Sequence, residues 1–239
     1  MAIKPILMNT EMVRAILDGR KTCTRRVIKP QWEECPACKY VHNEYIYDKM
    51  AENVYCARCG YPLDPERRSP YEPGDILYVR ETWGISNMDD ESKMAYIVYR
   101  ASEEQENEGC REVHLPDEKF EKMYESMAES EPEWRPSIHM PKEAARIWLK
   151  VTNVRVERLH EITEDGAKVE GINEEWARSW WHPTYYDPDS GGYPRYRDTF
   201  ALDLWNSTIK KSDHDRYGWN ANPWVWVIEF ERCEKPQED

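Results

Sequence analysis

The chain has 239 residues, 40% of them apolar, and a net charge of −13. That charge opposes long-range capture of a nucleic-acid duplex, and the longest apolar run, near Trp224–Ile228, is far shorter than the roughly 20 residues a membrane-crossing helix needs. Nothing at the N-terminus reads as a signal peptide, so a soluble, cytoplasmic protein is expected, with one domain carrying insertions or one domain and a small satellite.

The first elements are a strand at Ile3–Leu7 and a helix from Thr10. Asn9 or Thr10 can cap that helix, because a side-chain oxygen accepts from the unpaired amides of the first turn. Met12 with Ile16 and Val13 with Leu17 form its core-facing stripe, and Gly19 stands where a left-handed residue ends a helix. Arg20, Lys21, Thr22, Thr24, Arg25 and Arg26 follow at once, opening a strand over Thr22–Ile28. An amine, two hydroxyls and guanidinium groups thus fall within seven residues. Cations near helix C-termini and threonines in strands also have an ordinary structural explanation. Residues 1–30 hold seven Lys/Arg against Glu11 and Asp18, which marks this end as a basic mouth on an acidic body.

Cys35, Cys38, Cys56 and Cys59 are spaced C-x2-C-x17-C-x2-C. Two such knuckles, each aiming a pair of sulfurs inward, make a four-thiolate structural zinc site. Two disulfides would be disfavoured in a reducing compartment, and redox catalysis would call for a βαβ pattern that is absent. Tyr45–Tyr47 and Val54–Tyr55 supply ribbon strands. His42 is a spare ligand, and Arg58, Arg67 and Arg68 could touch nucleic acid. Four thiolates leave no position for a reacting water, so this metal would serve stability rather than chemistry.

Pro73-Gly74-Asp75 is a turn feeding a strand over Ile76–Glu81, on which Leu77, Val79 and Glu81 share one face and Ile76, Tyr78 and Arg80 the other. Arg80 and Glu81 can line a cavity or pair with each other. Met94–Tyr99 is a further strand. Residues 102–133 carry twelve Asp/Glu against three Lys/Arg and read as a solvated acidic insertion, with a helix suggested by Phe120, Met123, Tyr124 and Met127. Along Arg146–Leu159 the apolar positions change from odd (Ile147, Leu149, Val151) to even (Val154, Val156), predicting a bulge near Thr152–Asn153. Thr163 caps a short helix ended by Gly171. A turn-rich loop over Trp180–Arg195, a helix over Arg195–Ile209 and a last strand over Trp224–Cys233 complete the chain.

Gly19-Arg-Lys-Thr-Cys-Thr-Arg-Arg26, Tyr71-Glu-Pro-Gly-Asp-Ile-Leu-Tyr-Val-Arg-Glu-Thr-Trp83, Ala145-Arg-Ile-Trp-Leu-Lys-Val-Thr-Asn-Val-Arg-Val-Glu-Arg-Leu159 with Ile162-Thr-Glu-Asp165, and Trp224-Val-Trp-Val-Ile-Glu-Phe230 occur in an order that resembles the ASCH family. These are small RNA-associated proteins with a PUA-like β-barrel, and the form resembled here is often encoded by phages and prophages. The resemblance covers about half the chain. It implies an α+β fold: a PUA-like barrel with flanking helices over residues 1–30 and 70–233, a zinc-ribbon insertion over 31–69, the acidic insertion near 102–133, and a tail at 234–239.

Some members of that family are amidohydrolases that remove the acetyl group from N4-acetylcytidine. Carried onto this chain, their functional set implies Lys21, Thr24 and Glu170 as catalytic residues. Arg20, Thr22, Arg25, Arg26, Arg80, Glu81 and Trp83 are the residues expected around a nucleoside or single-stranded RNA. Lys21 can act as a base only if its surroundings lower its pKa, and it meets Thr24 only if it precedes the strand. Two other readings of the same cleft are open. A non-catalytic RNA-binding module would place Lys21, Arg25 and Arg26 on phosphates, with Trp83, Trp134 or Trp180–Trp181 stacking on bases. A metal-independent ribonuclease would draw its base from His114, His139, His160, His182 or His214.

Overall fold

A computed structural model describes all residues except 30, 32–34, 36, 40–44, 49–52, 64–68, 103–109, 126–133, 180–194 and 238–239. The loop expected at Trp180–Arg195, together with His42, His182, Arg67 and Arg68, therefore lies wholly or almost wholly outside the described residues. The chain is a mixed α+β protein whose described strands form one five-stranded and two three-stranded sheets. The largest has the order β1 (Ile3–Leu7), β6 (Ile76–Arg80), β10 (Trp148–Arg158), β11 (Trp224–Cys233), β2 (Cys23–Val27).

The closed barrel implied by the family resemblance is not formed by these strands. β1 and β2 are the two edges of an open sheet, and neither takes a second strand partner among the described residues. Only Glu81 and Thr82 separate β7 (Trp83–Asp89) from β6, yet β7 heads a separate meander with β8 (Met94–Tyr99) and β9 (Cys110–His114).

The fold divides into two compact units, one of residues 1–19, 74–150 and 231–239, the other of residues 20–73 and 151–230. In the first, β1 runs parallel to β6, with Ile6 opposite Val79, and β6 is antiparallel to the start of β10, with Tyr78 opposite Trp148. Helix α1 (Thr10–Leu17) starts where expected: the Asn9 side chain accepts from the Met12 amide at 2.8 Å, and Met12, Val13, Ala15 and Ile16 are buried. Gly19, at φ 72°, supplies the left-handed residue that ends it.

The segment that its charge marked as a solvated insertion is partly core. β9 pairs with β8, and α2 (Asp117–Glu125) buries Phe120 against a cluster that includes Trp83, Ile97, Leu115, Met140 and Trp148. Its acids occupy the outer positions, while one residue per turn faces inward. Of the expected apolar stripe, Phe120 is buried and Met123 half-buried, Tyr124 is exposed, and Met127 lies outside the described residues.

In the second unit β2 is antiparallel to β11, with Cys23 opposite Glu229, Thr24 opposite Ile228 and Arg25 opposite Val227. Buried positions along β10 change from Leu149 and Val151 to Val154, the phase slip that the sequence predicts. α3 (Glu164–Val169) is capped by Thr163, whose hydroxyl accepts from the Gly166 amide at 3.0 Å, and Gly171 at φ 107° follows it. The expected helix at Arg195–Ile209 is α4 (Tyr196–Thr199), continued by a π-helical stretch (Phe200–Trp205) and a last α-helical turn (Asn206–Thr208). β3 (Tyr45–Asp48), β4 (Asn53–Cys56) and β5 (Pro62–Leu63) form the cysteine-bearing ribbon.

Phe120→Ala tests whether the acidic segment belongs to the core. The expected loss is about 3–5 kcal/mol of stability, as for a buried aromatic, measured by urea denaturation. A loss below about 1 kcal/mol would return the segment to a peripheral insertion.

Candidate functional site

Glu170 is the residue that closes α3. It stands at the negative end of the helix dipole, where a carboxylate is disfavoured. Two cations offset this. Lys21 Nζ lies 2.6 Å from Glu170 Oε2, and Arg25 NH1 lies 3.1 Å from Oε1. All three side chains are at least 96% buried. Lys21 uses all three of its donors, giving the others to the backbone oxygens of Glu170 at 2.8 Å and Cys23 at 2.7 Å. It precedes β2, as its convergence with the strand's polar groups requires.

The basic segment therefore serves a helix end, but not the end of α1. Arg20 donates to the Gly171 carbonyl, Lys21 to that of Glu170, and the Thr22 amide to that of Val169 at 3.0 Å. Three successive residues satisfy carbonyls left open at the C-terminus of α3.

The cluster continues outward along alternating charges. Arg25 NH2 meets Glu157 Oε2 at 3.2 Å, Glu157 Oε1 meets Arg155 Nε at 2.5 Å, and Arg155 NH1 pairs with Glu229, whose other oxygen accepts from Asn153 at 3.2 Å. Side-chain exposure rises from 2% at Glu170 through 20% at Glu157 to 39% at Glu229. Sequence reasoning missed Arg155, Glu157 and Glu229. The available signal was their alternation on one face of β10, opposite Val154 and Val156, and the register that sets Glu229 beside Cys23.

Burial lowers the pKa of Lys21, against the opposing pull of Glu170. Burial also raises the Cys23 thiol to about 12, reinforced by Glu170, so that sulfur stays protonated and unreactive. The half-buried Arg26 is pushed down by desolvation, opposed by Tyr71 and Glu170. Thr24 is buried but stands on the other face of β2 from Cys23 and Arg25, across from Ile228. No hydrogen bond described for this unit joins it to Lys21 or Glu170. Thr22 is exposed.

The remaining expected ligand contacts belong to the other unit. Glu81 does not pair with its neighbour Arg80. Arg146 holds it through two contacts of 2.9 Å, and Arg80 Nε donates to the Met140 carbonyl at 2.7 Å. Alternation explains this, since adjacent residues leave a strand on opposite faces. Arg146 also donates to Ser102 at 2.8 Å and lies 4.1 Å from the Tyr99 ring centroid. Burial raises the pKa of Glu81 despite Arg146. Trp83 is fully buried in the core, with Arg135 5.4 Å from its centroid, and Trp134 is approached by Arg100 at 5.4 Å.

Among the histidines, His114 and His139 are exposed. His160 Nε2 is 2.7 Å from the Trp219 carbonyl, and His214 Nε2 faces the carbonyls of Asn206 and Ile209 at 3.2 and 3.1 Å. His214 also lines a half-open recess of about 250 Å³ with Asn206, Asp215, Gly218, Trp219, Asn220 and Ala221, which contains none of the residues expected to hydrolyse or hold a nucleoside.

The sulfurs of Cys35, Cys38, Cys56 and Cys59 all lie within 4.8 Å of one another. Cys35–Cys59 and Cys38–Cys56 are 3.7 and 3.8 Å apart, about the edge of a tetrahedron with ~2.3 Å metal–sulfur bonds and far beyond disulfide length. The knuckles match in the backbone: the Lys39 amide donates to the Cys35 carbonyl and the Gly60 amide to that of Cys56, with φ of 55° and 68°. The four-cysteine cluster is compatible with a zinc site.

No family model, curated protein or solved structure matches this chain.

Arg146→Ala should cost about 3–5 kcal/mol at neutral pH, because it leaves the Glu81 carboxylate buried and unpaired. A carboxyl whose folded pKa is raised adds stability below its unfolded value near 4.5, and that stability is lost as pH rises through the folded value. The penalty should therefore shrink as denaturation is repeated from pH 8 down toward pH 5. A pH-independent penalty would show that Glu81 is not the source.

Proposed function

We propose that the Lys21–Glu170–Arg25 cluster is a hydrolytic centre for an N-acylated nucleobase of the N4-acetylcytidine type, in a protein with an ASCH-like, PUA-related origin. One observation carries this reading: an ammonium and a carboxylate 2.6 Å apart, both sealed from solvent, next to a guanidinium that shares the carboxylate. Desolvating such ions costs several kcal/mol each, and apolar residues would join these elements more cheaply. Ion clusters of this kind gather where protonation states are put to use. The motif Gly19–Arg26 and the position of Glu170 are the points at which the chain resembles the amidohydrolases of that family.

In this mechanism a water attacks the acyl carbon. Lys21, its pKa lowered by burial, takes the water's proton in its neutral form and returns it to the base nitrogen as the C–N bond breaks, releasing cytidine and acetate. Glu170 orients the amine and offsets its charge when protonated. The substrate approaches from the surface end of the network, where Glu157, Arg155 and Glu229 become accessible. The histidine arrangement gives the ribonuclease reading no comparable support, since the rings of His160 and His214 are engaged by backbone carbonyls.

The cysteine ribbon holds one structural zinc ion in this proposal, through Cys35, Cys38, Cys56 and Cys59, and its exposed end offers Arg58 to a nucleic-acid strand.

Incubation with N4-acetylcytidine should release acetate, with Lys21→Ala and Glu170→Gln each at least about 10²-fold slower. Thr24→Ala should lose less than about tenfold, and a loss equal to that of Lys21→Ala would transfer the attack to its hydroxyl. Absence of turnover in the unaltered protein would remove the hydrolytic reading. Separately, the purified chain should contain one zinc per molecule by elemental analysis. Cys35→Ser should abolish it, and a chelator should lower the melting temperature. A metal-free chain of unchanged stability would refute the zinc assignment.

A further inference from the structure

Arg25 is held by carboxylates on two sides and lacks an acceptor on the third. NH1 is fixed by Glu170 at 3.1 Å and NH2 by Glu157 at 3.2 Å, which sets the plane of the guanidinium. Phe200 lies 6.0 Å from its central carbon. Of the three guanidinium nitrogens, Nε alone is fully buried with no hydrogen-bond partner among the described residues. An unmatched buried donor costs about 1–3 kcal/mol, and more when it carries charge, so an acceptor that reaches it recovers that energy. This donor belongs to a side chain 96% buried, one shared carboxylate away from the Lys21 ammonium.

We propose that Arg25 Nε–H is the donor that receives the acyl oxygen of the substrate. This assignment rests on the hydrolytic reading of the cluster and adds the charge-stabilising part that reading lacks. When water adds to the acyl carbon, the carbonyl π-pair moves onto oxygen, and Nε–H meets the charge that develops there. When the pair returns, the C–N bond breaks and the oxygen leaves in the acetate carboxylate, with no net change at Arg25. A preorganised donor aimed at developing charge contributes a large share of such a rate enhancement, because nothing reorganises at the moment of reaction. Two ion pairs that prevent rotation of the guanidinium provide this preorganisation. Lysine cannot substitute, since its ammonium is a point charge without a third fixed edge.

The test uses the full chain labelled with 15N-arginine. Arg25 Nε–H is assigned as the resonance absent from Arg25→Lys, then followed during titration with acetate, cytidine and N4-acetylcytidine separately. A saturable shift with acetate and with N4-acetylcytidine, and a weaker one with cytidine, is expected. A resonance that none of the three moves overturns the proposal and leaves a donor satisfied by resident water only. In parallel, Arg25→Lys should reduce kcat for N4-acetylcytidine by about 10²–10³-fold with KM within about threefold, the signature of an interaction made chiefly in the transition state. An equal loss carried entirely by KM would make the contact one of ground-state binding and overturn the assignment. The two readings fail separately. A moving resonance without turnover removes the hydrolysis and keeps the acceptor site, whereas turnover with a motionless resonance removes the acceptor role and keeps the hydrolysis.

Discussion

The second unit is organised around a carboxylate in an unfavourable place. Glu170 ends α3, where the helix dipole and the open carbonyls already concentrate negative charge. The fold answers with a strand entry rich in cations. Arg20, Lys21 and Thr22 satisfy the carbonyls, while Lys21 and Arg25 divide the two carboxylate oxygens between them. Removing either partner strands a buried charge, so helix end and strand entry are positioned by each other. β11 is tied into the same arrangement through the backbone, since the Phe230 amide donates to the Thr22 carbonyl at 2.9 Å.

The polar clusters of the chain solve the burial of polar groups in different ways. The cysteine ribbon gathers four soft ligands with no open position, an arrangement suited to holding strands together. The Lys21–Glu170–Arg25 cluster balances hard charges in a dry interior, where small changes in geometry alter protonation. The Glu81–Arg146 pair resembles the latter in burial but differs in completeness. Arg146 grips both carboxylate oxygens and also has Ser102 and Tyr99 as neighbours, which makes that pair a rigid brace between β6 and the segment leading into β10.

The motifs named the residues of the cluster without giving the reason they meet. Lys21 was singled out because a cation follows Gly19, and the ordinary explanation was a cap for α1. The structure shows a cap, but for α3, almost 150 residues further along the chain. Glu157 and Arg155 carried no motif at all. Their role exists only because β10 turns its polar face toward Arg25, which depends on the phase slip between Val151 and Val154. Similarly, the acidity of residues 102–133 described the solvent side of α2 correctly and concealed Phe120 behind it.

Local rules were enough for whatever a short stretch of chain decides alone. Asn9 and Thr163 cap their helices, Gly19 and Gly171 supply left-handed turns, and each C-x2-C pair forms its own knuckle, because each depends on backbone geometry within a few residues. Tertiary structure decided the order of the described strands, with β1 and β2 at its two ends, and which charge meets which. Those outcomes arise from long-range pairing, in which an ion can have several candidate partners of equal chemistry, and only the register of packed elements chooses among them.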